Sequence, residues 1–171
     1  VDAAKALLAE AGFPDGFDMT LSYRDVVRSY LPSPSTVAVD IQDQLAQLGI
    51  TVNIEVMESG AFIDAANAGE LPAYLLGWGA DYPDATNFLD FHFGAGASPQ
   101  FGAGFEDIQA LLTEAGQIAD QATRLELYQE ATGLIKEHVP MVPIAHGGSG
   151  TAYAADVTNA QASPLGNERF S

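Results

Sequence analysis

Two charged residues in this chain are placed where they can hold the two ends of a zwitterion. Asp81 lies in the run Gly77-Trp78-Gly79-Ala80-Asp81-Tyr82-Pro83-Asp84, and Arg28 lies 53 residues earlier in Arg28-Ser29-Tyr30-Leu31-Pro32. A carboxylate that follows small residues in a loop can accept hydrogen bonds from an ammonium, and charge-assisted bonds are about twice as strong as neutral ones. Trp78 and Tyr82 flank it; Trp78 offers an apolar wall or a cation–π face worth about 0.5–2 kcal/mol. Arg28 carries a planar fork that takes a carboxylate in bidentate fashion. Plainer roles stand beside these: Asp81 as a turn or helix-capping residue, Trp78 as core, Arg28 as a surface charge.

Other chemistry finds little support. The chain has no cysteine, which excludes disulfides, thiolate chemistry and iron–sulfur ligation, and with them most structural zinc sites. His92, His138 and His146 are too scattered for a ligand pattern, and His138 near a helix end is a favourable partner for the helix dipole. Asp81, Asp84 and Asp90 lack the regular spacing and the glycine of a calcium loop. The Gly147-Gly148-Ser149-Gly150 run lacks the Lys-Ser/Thr and the strand–loop–helix setting of a phosphate loop, so it reads as a turn before the apolar stretch near Tyr153. No Ser-His-Asp order stands out, and nothing marks a pair of acids flanking a glycosidic bond. The expectation is a binding protein with neither catalytic residues, metal nor cofactor. A carboxylate-dependent hydrolase and a protein-interaction domain are the alternatives from other classes.

The elements that must position Asp81 and Arg28 follow from periodicity. Ala3, Ala4, Leu7, Leu8 and Ala11 share one helical face, and Gly12 with Pro14 ends it. Phe17, Met19, Leu21 and Tyr23 alternate as a strand does. After Pro32 and Pro34, Ser35 is the expected cap of a helix with Val37, Ile41, Leu45 and Leu48 on one stripe. Gly49 stops it, and Ile50, Val52, Ile54 and Val56 form a second strand. Ser59 is the expected cap of a short helix with Phe62, Ile63 and Ala66 inward, closed by Gly69. Ala73–Leu76 is the expected third strand. Strand, helix, strand, helix, strand predicts right-handed crossovers and a mostly parallel sheet. Arg28 then lies past the carboxyl end of the first strand and Asp81 past that of the third, where ligands sit in open α/β sheets. A short helix is expected from Asn87 to Phe93, then a Gly/Ala-rich loop from Gly94 to Gly104. A helix pair follows, lined by Phe105, Ile108, Leu111, Leu112, Ala115 and Ile118, then by Leu125, Tyr128, Ala131, Leu134 and Ile135. Pro140 ends it, and Met141–Ile144 is the expected last strand, its pairing restricted by prolines.

The bulk properties fit one globular domain over residues 1–171, with 47% hydrophobic residues to build a core. No apolar run approaches the roughly 18 residues that span a bilayer. Twenty-three acidic against 6 basic residues give a net charge of −17. Nucleic acid and anionic membranes are disfavoured, since no basic stripe exists to neutralise phosphates. The acidic excess reads first as a solubilising surface and second as attraction for cationic ligands.

Several phrases, in order, resemble the extracellular solute-binding proteins of family 5, which serve ABC importers. They are Ala6-Leu7-Leu8-Ala9-Glu10-Ala11-Gly12-Phe13-Pro14-Asp15-Gly16-Phe17, Ile41-Gln42-Asp43-Gln44-Leu45 with Leu48-Gly49-Ile50, Gly77-Trp78-Gly79-Ala80-Asp81, Glu114-Ala115, Arg124-Leu125-Glu126-Leu127-Tyr128 and Val139-Pro140-Met141-Val142-Pro143-Ile144. The resemblance implies a periplasmic-binding-protein-like (type II) α/β lobe, three-layered, with a mostly parallel mixed sheet flanked by helices. It also implies a fragment: the C-terminal lobe of a two-lobed, exported and often lipid-anchored protein, working outside the cytoplasm as a monomer with ABC permease subunits. In peptide-binding members the Asp of Gly-Trp-x-x-Asp receives the peptide ammonium, and Asp81 matches it. The Arg of Arg-x-Tyr-x-Pro takes the carboxylate in dipeptide-binding members, and Arg28 matches that. Trp78, Gly79, Ala80 and Tyr82 join them as expected ligand-contacting residues. Many members place Pro after the second Asp of this region, whereas Ala85 follows Asp84 here. The Arg-x-Tyr phrase also occurs in members that bind other solutes, so nickel chelates, sugars and other solutes stay open beside short peptides.

Overall fold

The computed structural model describes residues 1–102, 104–148 and 152–158. The chain divides after Gly77 into two compact units.

In the first unit, helix α1 (Asp2–Glu10) precedes strand β1 (Asp18–Arg24), helix α2 (Pro34–Ala46), strand β2 (Thr51–Met57) and helix α3 (Ser59–Asn67). β1 and β2 pair in parallel, with Leu21 opposite Ile54 and Tyr23 opposite Val56. Because side chains alternate along a strand, Met19, Leu21 and Tyr23 share a face with Val52 and Ile54. That face packs under Val37, Ala38, Ile41 and Leu45 of α2, and Leu8 of α1 joins it. On the other face Ser22 is fully buried and donates to the Glu55 carboxylate at 3.1 Å. Arg24, on the same face, donates to Ser59 Oγ at the start of α3. Phe62 of α3 is fully buried and meets the Tyr74 ring edge-on, centroids 5.9 Å apart. Helices therefore cover both faces of a parallel sheet, the three-layer α/β arrangement expected of a type II periplasmic-binding-protein-like fold.

Several expected details change. The third strand shrinks to one parallel bridge, Ser22 to Tyr74, made by Ser22 N–H to Ala73 O and Leu75 N–H to Ser22 O. The segment has only four residues between Pro72, which has no N–H, and Gly77. Neither expected serine is a cap. α2 starts at Pro34, one residue before Ser35, after a Ser33 that makes no side-chain cap bond. α3 is capped by Glu58, whose carboxylate accepts from the N–H groups of Gly60 and Ala61, because Ser59 is already the first helical residue. Leu7 is 65% exposed, so only Leu8 of the expected α1 face reaches the core. Gly49, at φ 82°, makes the turn from α2 into β2 that side chains disfavour.

The second unit holds α4 (Thr86–Phe93), a 3-10 turn (Pro99–Phe101) inside the expected loop, α5 (Glu106–Gln117) and α6 (Gln121–His138). Phe93, Ile108, Leu112 and Ala131 form its buried centre, with Phe101, Phe105, Tyr128 and Ile135 packed around them. Leu125, expected to line α6, is 56% exposed. α6 stops at His138, and Val139 turns left-handed (φ 49°) before Pro140, which has no N–H to extend the ladder. His138 pairs with Asp107 of α5 at 2.8 Å. Met141–Ile144 forms no strand, and Met141, Val142 and Ile144 are exposed. Pro140 and Pro143 remove two of the donors a ladder needs. Of the expected glycine turn, Ser149 and Gly150 lie outside the described residues.

Candidate functional site

The Gly-Trp-x-x-Asp loop is organised by a residue outside the phrase. Asn87, in the first turn of α4 and only 5% exposed, presents one side-chain oxygen to two donors. The indole Nε1–H of Trp78 and the backbone N–H of Asp81 each donate to Asn87 Oδ1 at 3.0 Å. One turn further along α4, Phe91 stacks on the Trp78 indole, centroids 3.8 Å apart. Residues four apart share a helix face, so Asn87 and Phe91 hold the polar edge and the flat face of one indole. Trp78 is thus half-buried in a built setting, outside the buried cluster of its unit.

Asp84 fastens α4 itself. Its carboxylate accepts from the Thr86 backbone N–H (3.0 Å) and hydroxyl (2.9 Å), and Arg124 of α6 reaches it with both terminal nitrogens at 3.0–3.2 Å. Arg124 is held in turn by Ala115 O and the Tyr128 hydroxyl. The turn role that sequence left open for Asp81 is filled by Asp84, one residue before Ala85, the N-cap of α4. Ala85 takes φ −60°, which is the angle a proline would impose, so its departure from the family pattern leaves the turn intact.

The Thr86 N–H, together with Arg124, holds the Asp84 carboxyl down from 3.8 to about 2. A depressed carboxyl stabilises the fold above its unfolded value, and that stabilisation is lost as pH falls through the folded value. Asp84→Asn should therefore be less stable than wild type at neutral pH. The difference should shrink as pH falls between 3.8 and about 2. For a carboxylate about a third exposed, solvent screening limits the effect to on the order of 1 kcal/mol. Parallel unfolding curves at each pH check this, and a constant difference down to the lowest pH would contradict it.

Asp81 is exposed, and its carboxylate has no hydrogen-bond or ion-pair partner among the described residues. Gly79 is open where a side chain would project, Ala80 is half-buried, and the Tyr82 hydroxyl lies within hydrogen-bond reach of Thr86 Oγ1 at 3.2 Å.

Arg28 follows the carboxyl end of β1 in a tight turn, closed by Leu31 N–H to Arg28 O (3.0 Å) and Arg28 N–H to Leu31 O (3.3 Å). Its exposed guanidinium donates to Val27 O at 3.1 Å and meets no carboxylate among the described residues. The Tyr30 ring of the same turn packs on Gly77. A β-carbon there would run into Tyr30 Cδ2 and sit 2.7 Å from Cε2 and Cγ. Trp78, Asp81 and Tyr82 are thus brought together around α4 in the second unit, while Arg28 and Tyr30 are set in the first.

Sequence reasoning missed Asn87, Tyr30, Arg124 and the aromatic setting of His92. A polar residue six positions after Asp81, opening an apolar helix, was the available signal for Asn87. His92 meets Trp78, Phe91 and Phe101 edge-on. Burial pushes the His92 imidazole down and the Asp90 carboxyl up. No three acidic or histidine side chains gather as a metal-holding group among the described residues.

The profile of the bacterial extracellular solute-binding proteins, family 5 Middle, matches residues 1–100. Di/tripeptide-binding protein 1 of Pseudomonas aeruginosa is 35% identical over 99% of this chain and 32% of its own length. Heme-binding protein A of Haemophilus influenzae is 31% identical over 99% of this chain and 31% of its own. The crystal structure of a dipeptide-binding protein from Pseudoalteromonas sp. SM9913 in complex with Met-Leu superposes with a TM-score of 0.81 at 35% identity, over 85% of this chain and 30% of that one. The chain spans about a third of the length of the curated relatives it matches. On the length of that profile match, the chain belongs to the bacterial extracellular solute-binding proteins of family 5.

Proposed function

We propose that this chain is the C-terminal lobe of a solute-binding protein that captures short peptides outside the cytoplasm and hands them to an ABC importer. Asp81 receives the peptide ammonium and Arg28 the carboxylate, and Trp78, Gly79, Ala80 and Tyr82 line the ammonium end. The observation that carries the reading is the exposed Asp81 carboxylate, unpaired among the described residues, on a loop whose backbone is bonded to Asn87. A charge so placed can accept an ammonium without first breaking a bond, and its backbone does not have to be ordered on binding. Peptide-binding relatives at comparable identity support the ligand class. Membership of a solute-binding family supports capture rather than turnover. Hinge closure would follow from a peptide bridging this lobe and a second one, which shifts the population toward the closed form. The protein acts as a monomer, with the permease as its partner.

Native mass spectrometry of the full-length parent, purified without added ligand, tests the ligand class. Co-purifying short peptides are expected, and their lengths report the span between Asp81 and Arg28. A single mass of a heme, a nickel chelate or a sugar would keep the transport role and remove the zwitterion clamp. Heme is included because one relative at 31% identity is named for binding it.

A further inference from the structure

We infer that Asn87 is a positioning residue for the ligand site, setting the Asp81 carboxylate at a fixed place beside the Trp78 indole. The inference rests on the proposed role of Asp81 and goes beyond it by naming the group that makes the loop competent. Two N–H donors from different parts of the loop converge on one atom at 3.0 Å each. An atom facing two donors must be an acceptor with two usable lone pairs, which the amide oxygen supplies. The two bonds bracket the segment from Trp78 to Asp81, so Gly79 and Ala80 between them are held only at the ends. The indole is fixed a second time by its stack on Phe91. Asn87 is buried in the first turn of α4, and the Asp84–Arg124 pair holds the start of that helix. The chain of restraint therefore runs from α6 through Asp84 and α4 to Asn87, and ends at the Asp81 backbone. The indole N–H, already spent on Asn87, is not offered to a ligand. Trp78 contributes its apolar surface alone.

Trp78 is the one tryptophan of the chain, so its indole N–H gives a single nitrogen–proton resonance in solution NMR. In wild type that resonance and the Asp81 amide should both exchange slowly with solvent. Asn87→Leu keeps the branched shape and heavy-atom count of the side chain but removes the acceptor oxygen; both protons should then lose their protection. Affinity of the full-length parent for L-alanyl-L-alanine, measured by calorimetry, should fall at least tenfold. Asn87→Asp retains an oxygen with two lone pairs and should keep both protons protected and the affinity largely intact. Fast exchange of either proton in wild type overturns the inference without any variant, and so covers the case in which Asn87→Leu fails to fold. It is also overturned if Asn87→Leu loses both protected protons but binds as wild type does, or if Asn87→Asp keeps neither. Should this chain show both protected protons while the full-length parent has no affinity for the dipeptide, the loop restraint stands and the peptide reading falls.

Discussion

Asp81→Asn in the full-length parent is expected to weaken dipeptide binding by about 2 kcal/mol or more, roughly thirtyfold, the scale of a lost hydrogen bond to a charged group. The substitution is nearly isosteric and leaves the Asp81 backbone N–H free to donate to Asn87, so the loop should keep its shape. The exposed side chain has no partner in the fold among the described residues, and thermal stability should change little. What disappears is the charge proposed to meet the ammonium. Calorimetry with a free dipeptide and with its N-acetylated form separates this role from general damage. The free dipeptide should lose affinity in the variant, whereas the acetylated one, weak in wild type, should lose almost nothing more. Equal affinity of wild type and variant for the free dipeptide rejects the ammonium role. An equal loss for both ligands would assign Asp81 to loop structure instead.

The contrast between Asp81 and Asn87 marks how far sequence could see. Charged residues at strand ends announce themselves by type, so Arg28 and Asp81 could be named as candidates from their phrases and from strand periodicity. The parallel sheet and its covering helices were legible for a related reason: apolar residues at period two or at helical spacing report which face is buried. Asn87 carries only a faint mark, a polar residue at the start of an apolar helix. Its role depends on which backbone atoms a loop of small residues brings to it, and no pattern encodes that. The caps failed in the same way. Ser35 and Ser59 have the favoured side chains, but where each helix starts was decided by Pro34 and by the reach of Glu58. The third strand and the Met141–Ile144 strand had the right composition, yet a ladder needs N–H groups at register, and prolines beside or within these segments remove them. Local type could be read. What each side chain finds within reach could not.

That limit is sharpest at Gly77, whose requirement comes from a residue 47 positions earlier in the sequence. Gly77→Ala is expected to destabilise the fold by about 1–3 kcal/mol, the range for forcing extra atoms into packed space. The β-carbon would run into Tyr30 Cδ2 and sit 2.7 Å from both Cε2 and Cγ, so the ring must leave its place. Tyr30 lies in the turn closed by Arg28 and Leu31, and moving its ring disturbs the backbone that presents the guanidinium. Stability and carboxylate capture should therefore fall together in Gly77→Ala. Tyr30→Ala alone should cost stability through lost packing. In the double variant the methyl no longer meets a ring, and Gly77→Ala should then cost much less than it does in wild type. A double-mutant cycle on unfolding free energy and on dipeptide affinity measures that coupling. Additive losses would mean that the two residues act independently. Strong coupling in stability without coupling in affinity would confine the contact to folding and detach the Arg28 turn from ligand capture.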